Sequence, residues 1–308
     1  MGTFDNLNDY VAVRKKDFES CLDVTEHDLE IDSVITNLRF HYIKFDGNGM
    51  PMVKALACKL YEYIIDYCIS ARERSDTLTS QQSMILSKQA RDLFRHPDVT
   101  DNSPDKTGEA GETLLFFLME AVLGAPQLVA KMELKTNSND EVKGSDGIHI
   151  KWNEHDKLVD FYFGESKLYK QVSNALDEAL KSISSFHANE MYKHEFNMVT
   201  KFFKYANNEI KSAISELFVA GEPGPNVRIN HACLIGYDWA KFKKLKNSKE
   251  QTIDEHFLQE FKKDLPRLKK LLEDKLSTFT LKHLRFDVFF IPFPSVKEFR
   301  NEFNKALD

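Results

Sequence analysis

The chain has 308 residues and a formal net charge of −6, with 42% hydrophobic, 12% aromatic and 29% charged residues. That is ample apolar material for a globular core in one large or two ordinary domains, and the acidic balance leaves any contact with nucleic acid to a local basic patch. No apolar run approaches the roughly 20 residues that span a bilayer, the cysteines Cys21, Cys58, Cys68 and Cys233 form no Cys-x-x-Cys pair, and no basic stretch leads into an apolar run at the N-terminus, so a reduced cytoplasmic protein with no membrane contact, zinc site or secretion signal is expected.

Residues 1–33 are acidic and weakly periodic. The β-branched and aromatic run Val34 to Phe45 ends at Asp46-Gly47-Asn48-Gly49 and predicts a strand and a turn. Val53, Leu56, Ala57, Leu60, Tyr61, Ile64 and Cys68 recur at helical spacing, and a second helix is expected from about Ser80 to Phe94. The polar stretch from His96-Pro97 to Gly108 reads as a loop and a boundary. Glu109 to Leu123 then predicts a helix closed by Gly124 in a left-handed cap. Strands are expected at Leu128 to Leu134, Gly147 to Trp152 and Leu158 to Ser166, the first two separated by a polar hairpin around Asn137 to Asp140. Helices follow at Tyr169 to Phe186 and Glu190 to Phe218, then a strand at Val227 to Tyr237. A lysine-rich helical segment, an apolar strand at Phe286 to Ile291 and a terminal helix from Ser295 complete the chain.

Residues two apart on a strand face the same way. Glu165 and Lys167 therefore share a face with Val159, Phe161 and Phe163, and emerge at its polar end. Asp146 likewise shares a face with Ile148 and Ile150 at the tip of the preceding strand. Two carboxylates held close repel unless a divalent cation neutralises them. Magnesium, or manganese in its place, suits such a site, because it takes oxygen ligands and keeps several waters. Lys167 is then placed to orient a water or to stabilise anionic oxygens. Glu112 lies on one stripe with Leu115, Phe116, Met119 and Leu123, where an unpaired carboxylate is costly. It reads as a third metal ligand, or more blandly as a first-turn acid favoured by the helix dipole; Glu109 reads more simply as the latter.

A solitary Asp followed by Glu-x-Lys on a strand resembles the active-site layout of PD-(D/E)xK nucleases. The helix, three strands, helix, strand succession resembles their restriction-endonuclease-like fold. The literal letters of that motif also occur at Pro104-Asp105 and Glu133-Leu134-Lys135. There the aspartate stands in a polar loop, and the pairing would leave Asp146 without a partner. By the same resemblance Gln171 is a candidate to face the site, against its simpler reading as a solvated helix residue.

Through Gly108-Glu109-Ala110-Gly111-Glu112, Gly144-Ser145-Asp146-Gly147-Ile148-His149 and Phe163-Gly164-Glu165-Ser166-Lys167, most of residues 30 to 300 resembles the HamA family, the nuclease subunits of Hachiman anti-phage defence. The resemblance implies a bacterial DNA-degrading effector that works with a superfamily-2 helicase, HamB. The expectation is therefore an α/β chain forming one nuclease domain. Its mixed central sheet is flanked by helices, with the core at about 108–238 and helical elaborations at 34–96 and 252–307. It would be a magnesium-dependent deoxyribonuclease with Asp146 and Glu165 as metal ligands, Lys167 acting on the nucleophilic water and Glu112 auxiliary. A silent nuclease-fold scaffold regulating the helicase, and an RNA-cleaving enzyme, are the competing readings. His149, pointing away from Asp146, reads as a packed histidine. The lysines at 241, 243, 244, 246 and 249, and the basic residues at 262, 263, 267, 269 and 270, read as solvated helix faces or as contacts for phosphates or an acidic partner surface. No phosphate-cradling Gly-x-x-x-x-Gly-Lys-Ser/Thr loop occurs, so ATP chemistry would have to come from a partner.

Overall fold

The computed structural model describes residues 4, 6–31, 34–71, 77–94, 108–135, 144–205, 207–219, 222–245 and 252–308. The expected loop at 96–107 and the hairpin at 137–140 lie outside them. A six-stranded mixed sheet runs β1-β2-β8-β7-β4-β3, formed by β1 (Leu22–Ile31), β2 (Val34–Ile43), β3 (Gly147–Asn153), β4 (Leu158–Tyr169), β7 (Val227–Asp238) and β8 (Arg285–Phe293). The pairs β2/β8, β8/β7 and β7/β4 are parallel, and antiparallel strands close both edges. A small ribbon, β5 (Phe218–Val219) with β6 (Glu222–Pro223), stands apart.

Alternation along the central strands builds two different layers. Leu234 of β7 and Phe289 and Ile291 of β8 face a core formed with α2 (Val53–Glu62), α3 (Ile64–Cys68), α5 (Glu109–Leu118) and α10 (Val296–Leu307). Cys233, Ile235, Val288 and Phe290 face the opposite core, under α6 (Val172–Ala188) and the long α9 (Ile253–Ser277). A third cluster joins Ile148, Ile150, Phe161 and Phe163 to α7 (Met191–Lys201) and α8 (Asn208–Glu216). Helices α1 (Lys15–Cys21) and α4 (Ser80–Asp92) complete the set.

The mixed α/β architecture with flanking helices is as expected, and so are strands β2, β3, β4, β7 and β8. The helix from Glu109 closes as expected: its last turn widens to π geometry at Met119–Leu123, and Gly124 follows with φ 63°. The predicted strand Leu128 to Leu134 does not form. Gln127 makes an isolated bridge to His149, and Lys131–Leu134 is a 3-10 turn. The segment lacks period-two alternation, and Leu128, Val129, Ala130 and Met132 are all buried, so packing on several sides replaces a one-faced strand. The predicted helix Glu190 to Phe218 is two helices. Its break carries Lys204, buried at 1% exposure, with its ammonium on Gln127 Oε1 at 2.8 Å and on the carbonyl of Asp66. α6 begins at Val172 rather than Tyr169 because β4 stays paired with β7 through Tyr169. Strand β1 had no clear alternation in the sequence.

Candidate active site

Phe161, Phe163, Glu165 and Lys167 alternate with Tyr162, Gly164, Ser166 and Leu168 along β4. The register sets Gly147 opposite Gly164, so one further step puts Asp146 across from Glu165. Two bonds fix this crossing: Asp146 N–H donates to Gly164 O at 2.8 Å, and Ser166 N–H donates to Asp146 Oδ2 at 2.6 Å. Lys167 Nζ lies 2.5 Å from Glu165 Oε1. On the other face α5 packs closely against β4, and a Cβ at Gly111 would lie 2.5 Å from Ser166 Oγ. That approach brings Glu112 to the same end of the sheet, where its Oε2 accepts a 3.4 Å hydrogen bond from the Tyr67 hydroxyl.

The electrostatics follow from crowding acids in a shielded place. Burial, then the charge of Asp146, pushes the Glu165 carboxyl up to about 7, despite Lys167 and a Ser182 hydrogen bond that lower it. Burial, then the charges of Asp146 and Glu109, pushes Glu112 up to about 8. Asp146 is also raised, chiefly by burial, with Lys167 and the Ser166 N–H working against it. For Lys167, burial disfavours the charge, but Glu165 and Asp146 outweigh it and its pKa rises. The carboxylates are short of positive charge, and Lys167 supplies part of it.

Hard oxygen donors that repel one another fit a divalent cation. Among the described residues, no three His, Cys, Asp or Glu side chains stand close enough together to hold a metal ion. The structure thus brings Asp146, Glu165 and Lys167 together, while Glu112 stands within electrostatic reach without closing a three-ligand cage. Beside Glu165 a cleft of about 240 Å³ opens between the Gly144 turn and α6, lined also by Lys181, Ser182, Ser185 and Asn189.

The turn before Asp146 is held by residues the sequence reading did not single out. Lys131 Nζ donates to Ser145 O and to Glu195 Oε1, both at 2.6 Å, and Glu195 Oε1 also accepts Ser145 N–H at 2.8 Å. Gly144 has φ +114°, and a Cβ there would run into Glu195 Oε1. The signal was available for Glu195: it lies four residues from both Met191 and Val199 on an apolar stripe, the pattern that drew attention to Glu112.

A family model for HamA matches residues 16–307. The chain belongs to the HamA family. Membership makes it a component of Hachiman antiviral defence. No curated protein matches the chain.

Several of the other candidates in this HamA-family chain have structural partners. Pro104 and Asp105 lie outside the described residues. Lys135 of the competing motif bonds Glu109 Oε1 at 2.6 Å, and Glu133 Oε2 accepts Ser70 N–H at 3.3 Å. Glu109 is therefore half of a buried ion pair rather than a bare first-turn acid. His149 packs on the α5 side, bonds Ala125 O at 2.7 Å and is pushed down to about 3 by burial. Gln171 is exposed at the start of α6. Lys263, Arg267, Lys269 and Lys270 each pair with an acid on their own helix, and Lys241 pairs with Glu260. Lys246 and Lys249 lie outside the described residues. No described helix is long and apolar enough to cross a membrane.

Proposed function

We infer that this chain is a metal-dependent nuclease, with DNA as substrate and a helicase partner that delivers or licenses it. The observation that carries the reading is the crossing of β3 and β4. Asp146 and Glu165 face each other there beside Lys167, and both acids are raised, chiefly by burial and, for Glu165, next by the charge of Asp146. A magnesium or manganese ion bound there would supply an acidified water and screen the charge of a phosphodiester. Asp146 and Glu165 would hold it, leaving its remaining positions to water and substrate oxygens.

Each residue of the chain has a distinct part. Lys167, anchored by Glu165, presents an ammonium able to orient the attacking water and to stabilise developing charge on phosphate oxygens. Glu112, raised to about 8, holds or accepts a proton near neutral pH and suits an auxiliary role. Lys181, Ser182 and Asn189 line the cleft along which a phosphate backbone would approach. With a net charge of −6 and several cations of the basic helix faces paired with acids, weak affinity for DNA in isolation is expected. That favours delivery by a partner.

The test is cleavage of plasmid DNA, linear DNA and RNA in magnesium, with and without the neighbouring helicase and ATP. Wild type is compared with Lys167→Ala. Cutting that vanishes in the variant supports the reading, and dependence on helicase and ATP adds the gating. A second reading, a silent scaffold that regulates the helicase, draws on the absence of a three-donor cluster among the described residues. No cleavage under any condition, with intact partner binding by both proteins, would establish it.

A further inference from the structure

At the opposite end of the sheet from Glu165, on the α5 side, lies a second cavity of about 260 Å³. Asp160 and Glu165 are five residues apart on β4, or about 17 Å along the strand. The floor is a polar row across neighbouring strands: in register, Tyr162 lies opposite Asn230 and Asn230 opposite Arg285, while Asp160 lies opposite Lys151 on one side and Arg228 on the other.

The acids in this cavity are already matched. Asp160 takes the fork of Arg228, at 2.5 and 2.8 Å, and the Asn230 amide at 2.8 Å. Asp156 also pairs with Arg228. Asp287 takes Arg39 through Nε at 3.1 Å and Nη2 at 2.8 Å. Two cations of the lining, Lys151 and Arg285, have no acid partner among the described residues. The Tyr162 side chain, only 8% exposed, lines the same space with its hydroxyl unbonded to any described residue. Burial and the charges of Asp287 and Asp160 keep that phenol protonated, so its O–H remains available to donate. A guanidinium, an ammonium and a phenol without acceptors, above acids that are already satisfied, form a donor-rich pocket for a small anion with several oxygens.

We propose that this cavity binds a phosphate group, held by Arg285, Lys151 and Tyr162. Free phosphate, a nucleotide and the phosphorylated end of a nucleic-acid strand share that chemistry. The site is separate from the Asp146–Glu165–Lys167 cluster, and its test does not depend on nuclease activity.

Calorimetric titration at low ionic strength with inorganic phosphate, a nucleoside monophosphate and a 5′-phosphorylated oligonucleotide tests this and separates the sources. Wild type binds at least one of the three. The double variant Lys151→Gln/Arg285→Gln loses about tenfold or more in affinity, as expected for removing charge-assisted bonds. Tyr162→Phe weakens binding severalfold. Because neither Lys151 nor Arg285 bonds another described side chain, the double variant should keep the wild-type melting temperature, and that is measured alongside. Three outcomes would each overturn the proposal: no binding by wild type, undiminished binding by the double variant, or equal affinity for acetate and phosphate.

Discussion

Asp146 Oδ2 accepts a 2.6 Å hydrogen bond from the backbone N–H of Ser166, the residue that separates Glu165 from Lys167. The aspartate is thus tied to the main chain of the strand that carries its partners. Asp146→Asn keeps an oxygen acceptor for that bond while removing the charge. The variant should fold normally and the Glu165 carboxyl should titrate lower, because the charge of Asp146 is one of the two forces raising it. Carboxyl-carbon NMR across pH reads this directly. An unmoved Glu165 would mean the two carboxylates are not coupled. Cleavage and magnesium affinity should be lost together in the same variant.

Stability should vary with pH along two limbs of opposite sign. Glu112 and Glu165 titrate near 8 and 7 in the folded chain against an ordinary 4.5, so the folded state holds their protons more tightly. Their contribution is full below about 4.5 and is lost as pH rises through 7 and 8. His149 and His231 are depressed to about 3, and His187 to about 4, each mainly by burial. Their contribution is present above the ordinary 6.5 and is lost as pH falls below it. Urea unfolding without metal should therefore be most resistant between the two limbs. Magnesium should restore stability on the alkaline side, and Glu112→Gln should flatten that limb. A magnesium effect equal at pH 5 and pH 8 would contradict the assignment of these carboxylates to a cation site.

The Lys131–Glu195 pair is a candidate for a large and specific loss. Both side chains are almost fully buried, and Glu195 also receives the Ser145 N–H. Lys131→Met leaves a buried charge without its partner and should cost about 3 kcal/mol or more in unfolding free energy. Lys131→Met/Glu195→Gln should recover part of that loss. A cost well under 1 kcal/mol for the single variant would show that the pair does not hold the Gly144–Ser145 turn.

Phe163 is fully buried against Phe186, Phe196 and His231 and precedes Glu165 on its face of β4. Phe163→Ala should cost about 4 kcal/mol, within the range for deleting a core aromatic ring. Denaturant midpoints at unchanged m-value would check it.

Local pattern was enough to find most of the sheet and the candidate cluster. Period-two alternation in Leu158 to Ser166 already sets Glu165 and Lys167 on one face, and the Gly-Ser-Asp-Gly run marks a strand start with its acid at the tip. The same reasoning failed at Leu128 to Leu134, where apolar residues are buried on several sides and no period identifies the element. It also joined α7 to α8, because a buried lysine within a helical pattern gives no sign that the chain turns around it. The Lys131–Glu195 pair was equally out of reach as a pair, since its members lie 64 residues apart.

By itself the sequence determined which residues could share a face, because side-chain direction along a strand or helix depends only on short-range backbone geometry. That placed Asp146, Glu165, Lys167 and Glu112 at polar ends of apolar stripes, and the resemblance to HamA followed from the same segments. Tertiary structure alone decided which charges meet. It set Asp146 across from Glu165, kept Glu112 at the edge of the cluster, matched Asp160 and Asp287 with arginines and left Lys151 and Arg285 without acids among the described residues. Those outcomes depend on register between strands and on the approach of α5. Both are long-range properties, settled by packing and by the cost of leaving a buried charge unmatched.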